Sequence, residues 1–538
     1  MDEKYIIHGP EPMIPVPQDT VGKQLFESLL KHKHLPNALI DAVTGESVSY
    51  STILEKTCLL ANSFKNYGLE QNDVIGISSE NCVQYFYPII AAMYSGITVT
   101  TFNPSYTVRE LLHTAKISNP KMIFCTELTL SAVLKANVTS KVVILNRSQN
   151  IDKIECLDQF ISNYSSKEFN IKDFRPATYS TNHVALILYS SGTTGLPKGV
   201  MLTHTNLNVR YCVIRDPRFN RNSNAGSVCA IGLLPFYHAY GLYSTFINLL
   251  SGQTVVVMKK FDEEIYLKTI QDYKITNLYL VPALAVILAK STLLDKYDVS
   301  SVIEIGCGAA PLSKKIQEII KKRFNLKFFR EGYGLTETTL SVIGAPLNQI
   351  KEGSCGKAYS YTSVKVVDIE TGKLLGPYQS GEWCFKGGLI MKGYAGDEEA
   401  TKNAFDADGW FHSGDIGYYD EDGFFYIVDR LKELIKYKGF QVPPAELESI
   451  LLTHPKIKDA GVIGLPDELA GELPLAFIVK QVEDLTEDEV KDFLAGQVSP
   501  HKRLRGGVRF INEIPRNPSG KILRRKLREF ISLSKSKL

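Results

Sequence analysis

Tyr189-Ser-Ser-Gly-Thr-Thr-Gly-Leu-Pro-Lys-Gly199 follows the short apolar run His183-Val-Ala-Leu-Ile-Leu188. The run predicts a buried strand, and the stretch after it a loop able to hold a polyphosphate. Its glycines let the backbone approach a ligand, its N–H groups and hydroxyls donate hydrogen bonds, and Lys198 supplies positive charge. The loop is not a Walker A loop. That pattern needs Gly, four residues, then Gly-Lys-Ser/Thr, whereas here Pro197 precedes the lysine and Gly199 follows it. Glycine and hydroxyl residues also build ordinary turns, but a plain turn has no work for a lysine among clustered hydroxyls.

Working outward, the 538 residues exceed one simple core and imply two to four domains. A hydrophobic share of 44% and a charged share of 22% fit a globular chain. The net charge of +3, with no basic block, does not suggest a nucleic-acid partner or an acidic membrane. Nine scattered cysteines without a C-x-x-C pair argue against a zinc site and a disulfide framework, and for a reducing compartment. The N-terminus has acidic residues and no apolar core, so no signal peptide is expected. The uncharged stretch 81–108 is long enough to span a bilayer. Its Asn, Gln, Tyr, Pro and Thr residues favour a buried helix (84–95) and a core strand (97–102), with no transmembrane segment.

Residues 20–345 alternate helical spacing (25–31, 50–67) with short β-rich runs (74–78, 122–126, 142–145, 228–234, 254–258, 277–281). That rhythm implies βαβ units and an α/β fold with parallel sheets. From about 351 to 428, short strand-like pieces between Gly and Asp turns suggest a small β-rich subdomain. A compact α+β unit follows, with helices at 445–452, 487–496 and 521–530 and strands at 459–463, 475–479 and 507–511. The expected division is 1–430 and 431–538. Asp429-Arg-Leu-Lys-Glu-Leu-Ile-Lys-Tyr-Lys-Gly439 lacks the composition of a floppy tether and reads as an articulated hinge that makes the C-terminal unit mobile.

Three more stretches carry chemistry. In Glu331-Gly-Tyr-Gly-Leu-Thr-Glu337, the Tyr333 ring can stack on a planar base, while Thr336 and Glu337 suit a Mg²⁺–phosphate group. In Gly409-Trp-Phe-His-Ser-Gly-Asp415, an aspartate on a turn can accept both ribose hydroxyls. In Pro515-Arg-Asn-Pro-Ser-Gly-Lys521, a lysine on a Gly turn can bring charge to an α-phosphate under attack by a carboxylate.

With these motifs in place, the chain resembles the adenylate-forming enzymes from about Gly9 to its end. That superfamily holds acyl-CoA synthetases, 4-coumarate–CoA ligases and beetle luciferases. The resemblance implies ATP, Mg²⁺ and coenzyme A as cofactors and co-substrates. It implies ATP binding by Ser190, Ser191, Gly192, Thr193, Thr194, Gly195, Lys198, Gly308, Ala309, Ala310, Pro311, Gly332, Tyr333, Gly334, Thr336, Asp415 and Arg430. Glu337 would hold the metal, and Lys521, His238, Thr336, Glu337 and Lys436 would be catalytic. Arg210, His238, Ala239, Tyr240, Gly308 and Leu340 would form the acyl pocket. After adenylation the C-terminal unit would swing, bringing Lys436, Lys438 and Gly439 to CoA in place of Lys521.

Within the superfamily the chain is most similar to beetle luciferases and their non-luminous insect relatives, at Gln271-Asp-Tyr-Lys-Ile275 and Leu504-Arg-Gly-Gly-Val508. It departs from the luminous pattern at Leu340, where those enzymes generally carry Ser, and at Tyr237-His238, where firefly enzymes have two His. An apolar residue there suits an alkyl chain. The expected activity is therefore a medium- or long-chain fatty acyl-CoA synthetase, acting as a monomer. A luciferase is the second reading and an aromatic-acid CoA ligase the third. Ser536-Lys537-Leu538 matches the peroxisomal address read by an import receptor. Removing Leu538, or fusing a tag after it, should abolish peroxisomal import and leave activity intact. A full-length chain that stays cytosolic in an import-competent cell contradicts the peroxisomal expectation.

Overall fold

The computed structural model describes the chain apart from residues 1–2, 147–153, 191–196, 222–223, 327, 439, 468, 518–519 and 536–538. Two large sheets dominate it. In the first, Val184–Ser190 lies between the parallel strand Thr98–Phe102 and the antiparallel strand Lys198–Thr203, in an eight-stranded sheet that continues through Val74–Ser78 and Met122–Cys125. In the second, a parallel run of Phe328–Leu335, Glu304–Cys307, Asn277–Leu280, Cys229–Gly232 and Thr254–Val257 forms the centre of nine strands. The fold is α/β, as the alternation predicts. The uncharged stretch becomes the helix Phe86–Ser95 and the strand Thr98–Phe102. That helix is buried almost throughout, which explains its lack of charge. Among the described residues no helix is long and apolar enough to cross a membrane.

The β-rich stretch is less separate than its composition suggests. Thr362–Val367, Gly381–Gly387, Phe411–Tyr419 and Phe425–Arg430 form an antiparallel sheet, joined at its edge by Ile7–His8 from the start of the chain. Trp383, Phe385 and Phe425 belong to one apolar core with the helices and strands of the first large sheet. Gly393–Tyr394 pairs directly with Lys198–Thr203. The small sheet is thus clamped against the phosphate-loop hairpin.

Beyond Arg430 the chain enters a fourth sheet, built on the long antiparallel pair Ile457–Asp467 and Gly471–Lys480. Separate apolar clusters cover its two faces. The bridge 429–439 contains the strand Ile435–Tyr437, the first arm of a hairpin with Phe440–Val442. One expectation needs correction here. The last helix begins at Arg524, not at 521. Gly520 has φ +84°, and the Lys521 N–H is held by the Asn517 side chain at 2.8 Å, so Lys521 sits on a turn ahead of the helix.

One buried amide ties the two large sheets together. Asn81 follows the strand Val74–Ser78, and its Nδ2 faces the carbonyls of Gly232, Leu233, Leu234 and Met258 at 3.0–3.3 Å. Its Oδ1 accepts from the Phe236 N–H at 2.9 Å. This fixes the Pro235-Phe-Tyr-His238 segment at the carboxyl ends of the strands, where ligands bind in open α/β sheets. Asn81→Ala leaves several buried backbone groups unpaired, so it should destabilise the chain by about 1–3 kcal/mol. A urea-unfolding midpoint unchanged from the parent would contradict that assignment.

Candidate active site

A cavity of about 1250 Å³ lies where the two large sheets, the small sheet and the C-terminal unit meet. Of the residues singled out from sequence, Ser190, Lys198, Arg210, His238, Ala239, Tyr240, Gly308, Ala309, Gly332, Gly334, Thr336, Glu337, Leu340, Arg430 and Lys521 line it. Ser191, Gly192, Thr193, Thr194, Gly195 and Gly439 lie outside the described residues. Ala310 and Pro311 fall beyond the lining.

The phosphate-loop hairpin delivers Lys198 and Ser190 side by side in register. Lys198 Nζ lies 4.9 Å from the centre of the Tyr394 ring, and the Tyr394 hydroxyl donates to Glu337 Oε1 at 3.1 Å. Glu337 is buried, and its carbonyl accepts from the Met391 N–H at 2.8 Å. A lysine and a hydroxyl on one side and an oriented carboxylate on the other make a set of groups suited to a metal-bound phosphate.

Along the strand Phe328–Leu335, Arg330, Glu331, Gly332, Gly334 and Leu335 line the cavity, and Tyr333 does not. Its ring stacks on Phe385 at 5.7 Å and meets Trp383 edge-on at 4.8 Å. The expectation that Tyr333 stacks on a base is therefore corrected. Its task is carried by its hydroxyl, which donates to Asp415 Oδ2 at 2.6 Å. Asp415 Oδ1 pairs with Arg430 Nε at 3.0 Å across the strands Phe411–Tyr419 and Phe425–Arg430. Burial raises the Asp415 carboxyl above its ordinary range, and Arg430 opposes that shift. Asp415 sits behind the cavity-lining turn Ser413-Gly414.

Lys521 is the cation delivered by the C-terminal unit. Its Nζ lies 3.9 Å from Glu433 Oε1, and burial, with Arg430 nearby, pushes its pKa down to about 8. Lys436 and Lys438 are exposed on the hairpin after Arg430 and do not line the cavity. In this arrangement Lys521 alone of the three lysines reaches the site.

The other half of the cavity runs along the helix Ala239–Leu250. Ala239, Tyr240, Ser244, Ile247 and Asn248 line it, with Ser251 just past the helix end, at the spacing of one helical face. Those positions span roughly 18 Å at 1.5 Å per residue. At its mouth, His238 is half-buried, its Nε2 is unpartnered among the described residues, and burial pushes its pKa down to about 4, so it is a neutral imidazole. Arg210 is buried and donates to the Ser341 carbonyl at 2.8 Å. Leu340 has φ +80°, a strained conformation for a leucine. The strain is held in place by close packing: a Cβ on Gly334 would lie 1.7 Å from the Leu340 carbonyl oxygen.

Several lining residues had no sequence signal, because each is an ordinary residue brought in from a distant segment. Glu304 pairs with Arg330 between adjacent strands. Glu331, at the head of the stretch that ends in Glu337, is half-buried with Oε1 unpartnered among the described residues, and burial pushes its pKa up to about 8. Tyr394, which orients Glu337, lay outside every motif.

A cavity lined by Lys198, Glu337 and Arg430 and reached by Lys521 from a second unit suits an enzyme that activates carboxylic acids through adenylates. The comparisons agree. Residues 30–395 match the AMP-binding enzyme family and 446–521 match the AMP-binding enzyme C-terminal domain, and the chain belongs to this family. It is 47% identical to luciferin 4-monooxygenase of Photuris pensylvanica over the full length of both chains. It is 39% identical to 4-coumarate–CoA ligase 1 of Petroselinum crispum over 96% of this chain and 97% of that one. Among solved structures, ATP-bound MatB from Rhodopseudomonas palustris is similar with a TM-score of 0.83 at 29% identity, over 94% of this chain and 98% of that one.

The lowered Lys521 pKa has a kinetic consequence. The lysine carries charge below about pH 8 and loses it above. For adenylation, kcat/KM reports the free enzyme and should decline as pH rises through 8. A profile flat up to the ordinary lysine range of about 10.4 would contradict the role of Lys521.

Proposed function

We propose that the protein is an acyl-CoA synthetase acting on medium- or long-chain fatty acids. In this reading a fatty acid and ATP give acyl-AMP and pyrophosphate, and CoA then displaces AMP to give the thioester. Lys198 and the loop after Ser190 hold the phosphates. Glu337, with the Thr336 hydroxyl, would hold Mg²⁺, which neutralises phosphate charge when bound. Lys521 stabilises charge at the α-phosphate while the acid carboxylate attacks it. Arg210 and neutral His238 flank the mouth of the acid channel. The subsequent swing exchanges Lys521 for the Lys436–Gly439 segment.

The observation that carries the fatty-acid choice is the long channel along Ala239–Leu250, walled at its mouth by Leu340. Burial of an alkyl chain contributes about 0.8 kcal/mol per CH₂, and Leu340 and Ile247 pack there with the apolar core. A second reading, an ATP-dependent light-emitting monooxygenase, is favoured by two observations. The similarity to the Photuris luciferin 4-monooxygenase is greater than that to the parsley coumarate ligase, so the comparisons weigh towards it over a fatty-acid ligase. The channel also carries polar groups, among them Asn248, Tyr279 and the Glu304–Arg330 pair, which suit an acid with a polar far end. The same groups suit a phenolic acid, as in the coumarate ligases.

Leu340 separates these readings. A polar heterocycle meeting leucine in place of a hydroxyl loses roughly 1–3 kcal/mol. The purified chain should release AMP with fatty acids in a CoA-dependent manner and give little light with luciferin. Leu340→Ser should weaken the fatty-acid reaction and raise luminescence. Strong light from the parent chain, without fatty-acid-dependent pyrophosphate release, would establish the second reading.

A further inference from the structure

On the small sheet, Glu382 and Cys384 share one face of the strand Gly381–Gly387, and Cys384 is in register with His412 on Phe411–Tyr419. One ligand atom from each lies within 4.8 Å of the other two. Cys384 Sγ is 3.5 Å from His412 Nδ1, which is 2.8 Å from Glu382 Oε2. On the opposite side of the ring, Asp406 Oδ2 lies 3.8 Å from His412 Nε2, and Lys365 Nζ holds that carboxylate at 2.7 Å. A carboxylate behind a histidine is the arrangement that fixes the tautomer of a metal-ligating imidazole. Glu382 and His412 line the nucleotide cavity, which gives an ion a path to the otherwise buried Cys384.

We propose that Glu382, Cys384 and His412 form a binding site for zinc or another thiophilic divalent cation, and that its occupation weakens nucleotide binding. Sulfur, imidazole and carboxylate together suit Zn²⁺ better than Mg²⁺. Metal–ligand lengths of about 2.0–2.3 Å put tetrahedral donors roughly 3.3–3.8 Å apart. The Sγ–Nδ1 separation already fits, and Oε2 must retreat from Nδ1 by about half an ångström. Binding displaces the thiol proton to solvent, the His412 Nδ1 proton is lost or shifts to Nε2, beside Asp406, and water from the cavity completes the shell. The link to ATP is direct. Glu382 Oε1 accepts from the Gly414 N–H at 2.9 Å, and Gly414, at φ +69°, precedes Asp415. A cation that draws the Glu382 carboxylate toward Cys384 pulls on the turn that presents Asp415.

The test uses the full-length chain, stripped of metal with a chelator. Cd²⁺ titration should give a cadmium–thiolate charge-transfer band saturating at one equivalent, lost in Cys384→Ser and in Cys384→Ala. Asp406→Asn, which leaves all three ligands in place, should weaken Cd²⁺ binding about tenfold or more. Micromolar Zn²⁺, with Mg²⁺ saturating, should raise the KM for ATP several-fold in the parent chain and leave Cys384→Ser unaffected. Thermal melts would confirm that the variants are folded. A band that survives loss of Cys384, no band at all, or equal zinc inhibition of parent and Cys384→Ser would overturn the proposal.

Discussion

The buried pairing of Asp415 with Arg430 is the interaction on which the site depends. It joins two strands of the small sheet, receives the Tyr333 hydroxyl from the second large sheet, and stands at the last residue before the C-terminal unit. Its energetics are close to balance. Attraction between unit charges near a protein surface is about 4 kcal/mol at 4 Å, while desolvating each ion costs several kcal/mol. The Tyr333 hydrogen bond helps satisfy the carboxylate, and Arg430 keeps about a third of its side chain exposed. The pair contributes little net stability, and its value is positional. It fixes the cavity-lining turn Ser413-Gly414, the Tyr333 hydroxyl and the entry to the C-terminal unit at once.

Beyond Arg430 the hinge is anchored by another buried network. Asp429 Oδ2 accepts from the Ala445 N–H at 3.0 Å, and Arg524 bridges Glu433 and Glu448 at 2.6 and 2.7 Å. Glu433 also faces Lys521. The C-terminal unit therefore carries its cation and the counter-charge that steadies it on elements flanking the same joint. In the proposed swing, rotation about that joint would carry Lys521 as a unit with its partners.

Much of this was legible in the sequence. The alternation of β-rich runs with helical spacing located five strands of the first large sheet and three of the second, because strands buried on both faces read as continuous apolar runs. The glycine-rich motifs located part of the cavity lining, and at Gly334 only glycine admits the Leu340 carbonyl, 1.7 Å from where a Cβ would stand. Three features escaped. Tyr333 looks like a stacking residue, but at the irregular register between Tyr333 and Gly334 its ring packs against Trp383 and Phe385. The terminal helix looks as if it starts at Lys521 because Lys521-Ile-Leu continues its pattern, whereas the Asn517 side chain captures the lysine's N–H for a turn. Glu304–Arg330 and Glu382–Cys384–His412 are pairings across strands, and no local pattern marks which distant residues will share a register.

In the proposed reaction Lys521, presented on its turn to the cavity beside Arg430, drives attack of a carboxylate on ATP. Acid-dependent exchange of pyrophosphate into ATP measures that step without CoA or oxygen, and consumption of a supplied acyl-adenylate measures the second half-reaction. Lys521→Ala should cut the exchange by about a hundredfold or more, the scale of one lost transition-state charge contact, and leave consumption of the adenylate near that of the parent chain. Exchange that persists without Lys521, or both half-reactions falling together, would contradict the account.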